Sequence, residues 1–125
     1  MNIRHFRELT VWQKAMGLAM EVFELTKSFP PAERYSLVDQ ARHSSRSVPA
    51  NIAEAWRKRR YPAAFVSKLN DAEGEAAETQ THIEIALRCH YLTVPDFKRL
   101  DAGYEEVLAI LTTMAANPNQ WTIRS

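Results

Sequence analysis

Between Leu37 and Ala55, apolar or small residues recur at every third or fourth position: Leu37, Ala41, Ser45, Val48, Ile52 and Ala55. That period marks one helix face turned towards a core, and it passes through Pro49 without losing phase. Proline inside a helix removes one backbone hydrogen bond and costs about 3 kcal/mol. A stripe that keeps its register across the proline implies a single helix kinked at Pro49, not two helices joined by a turn. The same helix runs into Trp56 and then four consecutive cations, Arg57, Lys58, Arg59 and Arg60.

Three more segments carry the helical period. The first is expected to start near Thr10, where Thr10 and Gln13 have capping-box spacing, and to end before Phe29-Pro30-Pro31. The proline-bearing helix is expected to begin around Pro31 to Glu33, because proline is tolerated in a first turn. A third runs from about Pro62 to His90 through Phe65, Leu69, Ala72, Ala76, Ile83 and Leu87. The fourth follows Thr93-Val94-Pro95-Asp96, buries Phe97, Leu100, Tyr104, Val107, Leu111 and Met114, and stops at Asn117-Pro118. Only three glycines occur in 125 residues, and no Asn-Gly or Asp-Gly hairpin signal is present. The chain therefore reads as all-α: an antiparallel up-and-down four-helix bundle. Residues 1–125 form one domain, with an ordered core over about 6–116 and a short C-terminal tail, 117–125.

Composition narrows the setting. A single cysteine, Cys89, excludes an internal disulfide framework and makes a reducing, cytoplasmic compartment the default. No apolar run approaches ~20 residues, so no membrane partner is expected, and Met1 to Phe6 does not open a signal-like segment. Catalytic patterns are weak. Glu78 and His82 share a face, but a carboxylate-bridged di-iron bundle needs a second histidine-bearing pair, and none exists. No Gly-rich phosphate loop and no nucleophile arrangement occurs. A non-enzymatic protein without cofactor or metal is the expectation, with Glu54 accepting a hydrogen bond from a neighbour rather than serving as a general base.

Charge is strongly segregated. From Arg34 to Arg60 there are seven cations against Asp39 and Glu54, a local net charge of +5 in a chain of net +1. Arg42, Arg46, Arg57 and Arg60 fall on one flank of the second helix, with Lys68 extending it. Between Asn70 and Leu87 the third helix carries five acids and no Lys or Arg, with Asp71, Glu75 and Glu78 on one flank. Two readings compete. In one, Arg42, Arg46, Arg57, Lys58, Arg59, Arg60 and Lys68 contact the phosphates of a nucleic acid, with Tyr35 and Tyr61 available to stack on bases. In the other, the basic and acidic flanks pair with each other, within the bundle or between subunits. The first helix adds a second partner signal. Its apolar residues cover roughly 200° of arc, about twice a minimum core stripe. Either the helix sits deep, or one edge meets another copy through Val11, Trp12, Leu18 and Trp56, with Trp121 a further anchor.

Specific landmarks accompany this pattern. They are Phe6-Arg7-Glu8-Leu9-Thr10-Val11-Trp12-Gln13, then Phe29-Pro30 with Glu33, Tyr35-Ser36-Leu37 and Gln40. The most specific is Ser47-Val48-Pro49-Ala50-Asn51-Ile52-Ala53-Glu54, and Gly74 follows in the third helix. Over Phe6 to Met114 the chain resembles the four-helix-bundle family of proteins encoded in bacterial 23S rRNA intervening sequences, also called S23-type. The resemblance implies a four-helix bundle and a ring-shaped homopentamer. It extends to the accessory variability determinant of diversity-generating retroelements, a pentamer whose basic surface engages reverse transcriptase and template RNA. By this resemblance the partners are a second copy of the chain, and RNA or a nucleic-acid-processing protein. Two departures stand out. Ala55 follows Glu54 where the family commonly has glycine, and Glu75 follows Gly74 where it has serine, which lengthens the acidic flank.

Overall fold

The computed structural model describes residues 2–122, and in these the expected four helices are present with no strand. They are α1 (Thr10–Thr26), α2 (Leu37–Arg57), α3 (Pro62–Arg88) and α4 (Val94–Ala116), with 3-10 turns at Phe6–Glu8, Pro31–Glu33 and Pro118–Gln120. Each helix packs on its chain neighbours, and α1 closes the ring against α4. Cross-helix pairs give the directions. Lys14 reaches Glu106 while Glu21 reaches Arg99, so moving up α1 moves down α4. Likewise Ser44 meets Thr79 and Glu54 meets Lys68, which makes α2 and α3 antiparallel.

The helix ends follow from local chemistry. α1 has no side-chain cap: Leu9 precedes it, and the Gln13 amide donates instead to the Arg7 carbonyl at 2.9 Å. The capping box expected from Thr10 and Gln13 is therefore not formed; Gln13 ties down the preceding 3-10 turn, whose Phe6 ring meets Trp12 edge-on at 5.4 Å. α2 starts later than expected. Pro31–Glu33 makes only a 3-10 turn, and Ser36, with φ −126° and ψ −99°, separates it from the helix at Leu37. Glu33 stabilises that loop, accepting from Ser36 Oγ at 2.7 Å and from the Tyr91 hydroxyl at 2.9 Å. These two donors hold its carboxyl below the ordinary range. Because Tyr91 lies in the α3–α4 loop, the α1–α2 and α3–α4 loops sit at one end of the bundle and the α2–α3 turn at the other. α3 ends at Arg88, two residues short of the expected His90; His90 itself adopts φ 63° beyond the Cys89 cap, and Tyr91 N–H closes back on the Ala86 carbonyl at 2.8 Å. α4 is capped by the Thr93 side chain, which accepts from the Asp96 N–H at 3.2 Å.

The core is the set the stripes marked. Val48, Ile52, Ala55, Phe65, Leu69, Leu100, Tyr104 and Leu111 are buried, and α2 continues unbroken through a buried Pro49. Leu87 and Phe97 are half-buried at the margin. A polar seam crosses this core between α2 and α3, where the hydroxyls of Ser44 and Thr79 lie 2.8 Å apart, both fully buried. The C-terminal segment is more engaged than a tail: Pro118–Gln120 turns back and Trp121 packs, half-buried, against the core. Residues 123–125 of the expected tail lie outside the described residues. At the other terminus, Ile3 also packs on the core, ahead of the expected boundary at residue 6.

Candidate nucleic-acid interface

The seven cations proposed from sequence fall into four environments. Arg42 is committed to the fold. It is half-buried, its Nε donates to Thr26 Oγ1 at 2.9 Å, its Nη2 donates to the Phe23 carbonyl at 3.3 Å, and its guanidinium lies 4.7 Å from the Phe23 ring centroid. α1 ends at Thr26, where the Glu24, Leu25 and Thr26 carbonyls take only long three-residue backbone bonds from Lys27, Ser28 and Phe29, and a cation suits that negative end of the dipole. Arg42 therefore ties α2 to the end of α1 and leaves the candidate phosphate contacts. Arg46, one turn on, stays exposed, with its guanidinium 5.8 Å from the same ring.

Lys68 is also spoken for. Its Nζ lies 2.8 Å from Glu54 and 3.6 Å from Asp71, so its charge is already matched. The hydrogen bond from Lys68 holds the Glu54 carboxyl below its ordinary value, and the Glu54 partner raises Lys68. Glu54 is thus a hydrogen-bond acceptor, as its position in the sequence suggested, and Lys68 is removed from the basic surface.

The remaining cluster occupies the α2–α3 turn. Arg57, Lys58 and Arg60 are exposed. Arg59 folds back: its Nε donates to the Trp56 carbonyl at 2.8 Å, and its guanidinium carbon sits 3.4 Å from the Trp56 ring centroid. Burial against the indole, and then the neighbouring Arg57, both lower the Arg59 pKa from its ordinary value. Trp56, Arg57, Arg59, Arg60 and Tyr61 line a recess of about 260 Å³. Among the described residues, none of Arg34, Arg42, Arg46, Arg57, Lys58, Arg59 or Arg60 has a carboxylate at salt-bridge distance. The basic flank and the acidic face of α3 therefore do not neutralise each other within one protomer, apart from Lys68.

The acidic flank has its own tension. Glu75 is half-buried, and its Oε2 has no hydrogen-bond partner. Desolvation and the nearby Glu78 raise its pKa from the ordinary carboxylate value. His82 lies buried with Glu78 3.5 Å from its Nε2, too far for a good hydrogen bond. No group of three or more His, Cys, Asp or Glu among the described residues is arranged to hold a metal ion. No helix among them is long and apolar enough to cross a membrane.

The expected subunit contacts need correction. Val11, Leu18 and Trp56 are buried inside the protomer's own core, and Trp12 is half-buried against Phe6, so they have little surface to offer a second copy. The part of the α1 apolar arc that remains uncovered lies elsewhere. Met16 and Met20 are 36% and 53% exposed, and with Ala19, Phe23, Arg46 and Pro49 they line a groove of about 240 Å³ between α1 and α2.

A family model described as the 23S rRNA-intervening sequence protein matches residues 7–113. The chain belongs to this family. A crystal structure of a protein of unknown function from the S23 ribosomal protein family of Bacteroides thetaiotaomicron is similar to it, at 27% identity and a TM-score of 0.77. That likeness covers 85% of this chain and 95% of the other. No curated protein matches. Membership of the 23S rRNA-intervening sequence family agrees with the Phe6 to Met114 span of the sequence landmarks and with the four helices. The proline-containing landmark Ser47 to Glu54 lies in the middle of α2, between the two halves of its basic flank. The Arg59–Trp56 stack was missed from sequence, although an aromatic and an arginine three residues apart at a helix end carry the signal.

Proposed function

We propose that this member of the 23S rRNA-intervening sequence family is a non-enzymatic, homo-oligomeric binding or accessory protein that associates with RNA. The contacts are Arg57, Lys58, Arg59 and Arg60 at the α2–α3 turn, with Arg46 on the adjoining flank. The observation that supports it most is that these cations carry no carboxylate partner within the protomer, among the described residues. Cations held beside one another without counter-charge suit a polyanion, whose bound counterions they displace. Filter binding to structured RNA between low and moderate salt tests the reading. Replacing Arg57, Lys58 and Arg60 together with glutamine is expected to reduce the slope of log affinity against log salt by about 2, since each phosphate contact contributes about 0.7 to 0.9. Lys68→Met serves as the control and leaves the slope unchanged. An unchanged slope in the triple variant, or no binding at low salt, overturns the proposal.

A second reading rests on the acids. Glu73 and Glu75 on α3 have no cation at salt-bridge distance among the described residues, and Glu75 is held with a raised pKa. In a ring of copies, five by family resemblance, the basic edge of one protomer pairs with this face of the next, and the assembly presents a protein-docking surface. Arg46→Gln then weakens the oligomer and no variant binds RNA. Light scattering decides whether assembly occurs at all: a stable 14.3 kDa monomer at micromolar concentration removes the homo-oligomer from both readings.

A further inference from the structure

The α2–α3 turn holds more than charge. Arg59 is fixed twice, by its Nε bond to the Trp56 carbonyl at 2.8 Å and by the indole 3.4 Å from its guanidinium carbon. A guanidinium held 3.4 Å over the ring of Trp56, a residue only 3% exposed, is a positioned planar group, not a flexible point charge. Arg59 remains partly exposed and lines the 260 Å³ recess together with Arg57, Arg60 and Tyr61. Tyr61 is 64% exposed, and its ring takes part in no aromatic pair within the described residues. The recess thus combines two planar groups with two exposed arginines. Its cations crowd each other, since Arg57 disfavours the charge on Arg59, and an anion placed among them relieves that repulsion. The first turn of α3 begins at Pro62, directly after Tyr61, and adds the positive end of a long helix.

We propose that this recess is a subsite for one unpaired nucleotide of a single strand, with its base laid on Arg59 and Tyr61 and its phosphate held by Arg57 and Arg60. In a duplex both faces of each base are already stacked on neighbours, so only an unpaired base presents a face to such platforms. The inference deepens the nucleic-acid reading and rests on it. It adds a preference for strand state that charge alone does not give.

Fluorescence anisotropy on the full chain tests it, using labelled single strands of about 12 nucleotides in RNA and in DNA, and an RNA duplex of the same length. Both single strands are expected to bind about tenfold more tightly than the duplex, as one stacked base allows. Arg59→Lys keeps the charge and loses the plane. Tyr61→Ala loses the ring at an exposed position that folding does not depend on. Each is expected to weaken single-strand binding by about five- to tenfold; duplex binding stays within about twofold in Tyr61→Ala and falls less than single-strand binding in Arg59→Lys, and Tyr61→Phe restores single-strand affinity. RNA binding well above DNA assigns the subsite to ribonucleotides; equal binding assigns it to either. Parallel losses for single strand and duplex, or no loss in Tyr61→Ala, overturn the subsite and leave the basic edge standing. Absence of binding by every strand at low salt overturns both.

Discussion

Thr79→Val is the sharpest probe of how α2 is seated on α3. The Thr79 hydroxyl lies 2.8 Å from Ser44 Oγ and 2.9 Å from the Glu75 carbonyl, and both side chains are fully buried. Valine keeps the shape and nearly the same helix propensity, so the change is confined to the hydroxyl. Ser44 would then keep only a 3.4 Å contact to the Ala41 carbonyl, close to an unmade bond in a dry site. Leaving a buried hydroxyl unsatisfied costs about 1–3 kcal/mol, so a loss of about 2 kcal/mol is expected. Ser44→Ala alone is milder, about 1 kcal/mol, because Thr79 retains the Glu75 carbonyl. Removing both hydroxyls leaves neither member of the pair stranded, and the buried Tyr104 hydroxyl loses its Thr79 neighbour equally in Thr79→Val and in the double variant, which is therefore expected to lose about 1–1.5 kcal/mol, well short of the additive figure. The assay is urea unfolding of all four proteins at one fixed concentration, so that assembly contributes equally to each. Strict additivity would refute the claim that these hydroxyls satisfy each other.

The glycines give a rank order. A Cβ at Gly17 or Gly74 meets nothing within 4 Å, so each alanine variant is expected to gain about 1 kcal/mol of helix propensity, whereas at Gly103 it would fall 2.6 Å from Leu18 Cδ2 and lose that gain to overpacking. Thermal unfolding checks this, at about 3–5 °C per kcal/mol for a domain of this size, and a Gly103→Ala protein as stable as the other two would contradict the packing of α1 on α4. Glu75 gives a pH signature. Its raised native pKa means the folded state binds the proton more tightly than the unfolded one, so its contribution is greatest below the ordinary value of 4.5 and is lost as pH rises through the native value. Glu75→Gln is expected to flatten that fall in melting temperature, and a steeper fall in the variant would be the wrong sign.

The fold was legible because helix periodicity is local and redundant. Each core position of α2 is supported by neighbours three and four residues away, so even Pro49 could not hide the stripe. The helix starts were less legible. Gln13 and Thr10 have capping spacing, but a competing acceptor, the Arg7 carbonyl, takes the Gln13 amide, and that acceptor belongs to a 3-10 turn the pattern did not specify. The site was legible as a sum of charges and not as individual roles. Arg42 and Lys68 look the same in sequence as Arg46 and Arg57. Only the fold brings the end of α1 beneath Arg42 and sets Glu54 opposite Lys68. The apolar arc of α1 misled for a related reason: it showed too much hydrophobic surface but could not show which edge the bundle covers, and Met16 and Met20 were left out rather than Val11 and Leu18.

The division of labour among the arginines sets a limit on what mutagenesis of this surface can mean. Arg42 contributes to the packing of α2 on α1 through Thr26, Phe23 and the α1 terminus, so its removal perturbs the groove that contains Arg46, Phe23 and Met20 as well. A loss of RNA binding or of assembly in an Arg42 variant therefore does not identify a contact. Arg57 and Arg60 have no comparable role in the fold, being exposed at a turn, and Arg46 makes only a 5.8 Å approach to Phe23. Arg59 lies between these cases, because its side chain both covers Trp56 and lines the recess. A charge-preserving change at Arg59 and a charge-removing change at Arg57 and Arg60 separate what no deletion of the whole basic run can. The first asks whether the plane matters, and the second asks whether the charge does.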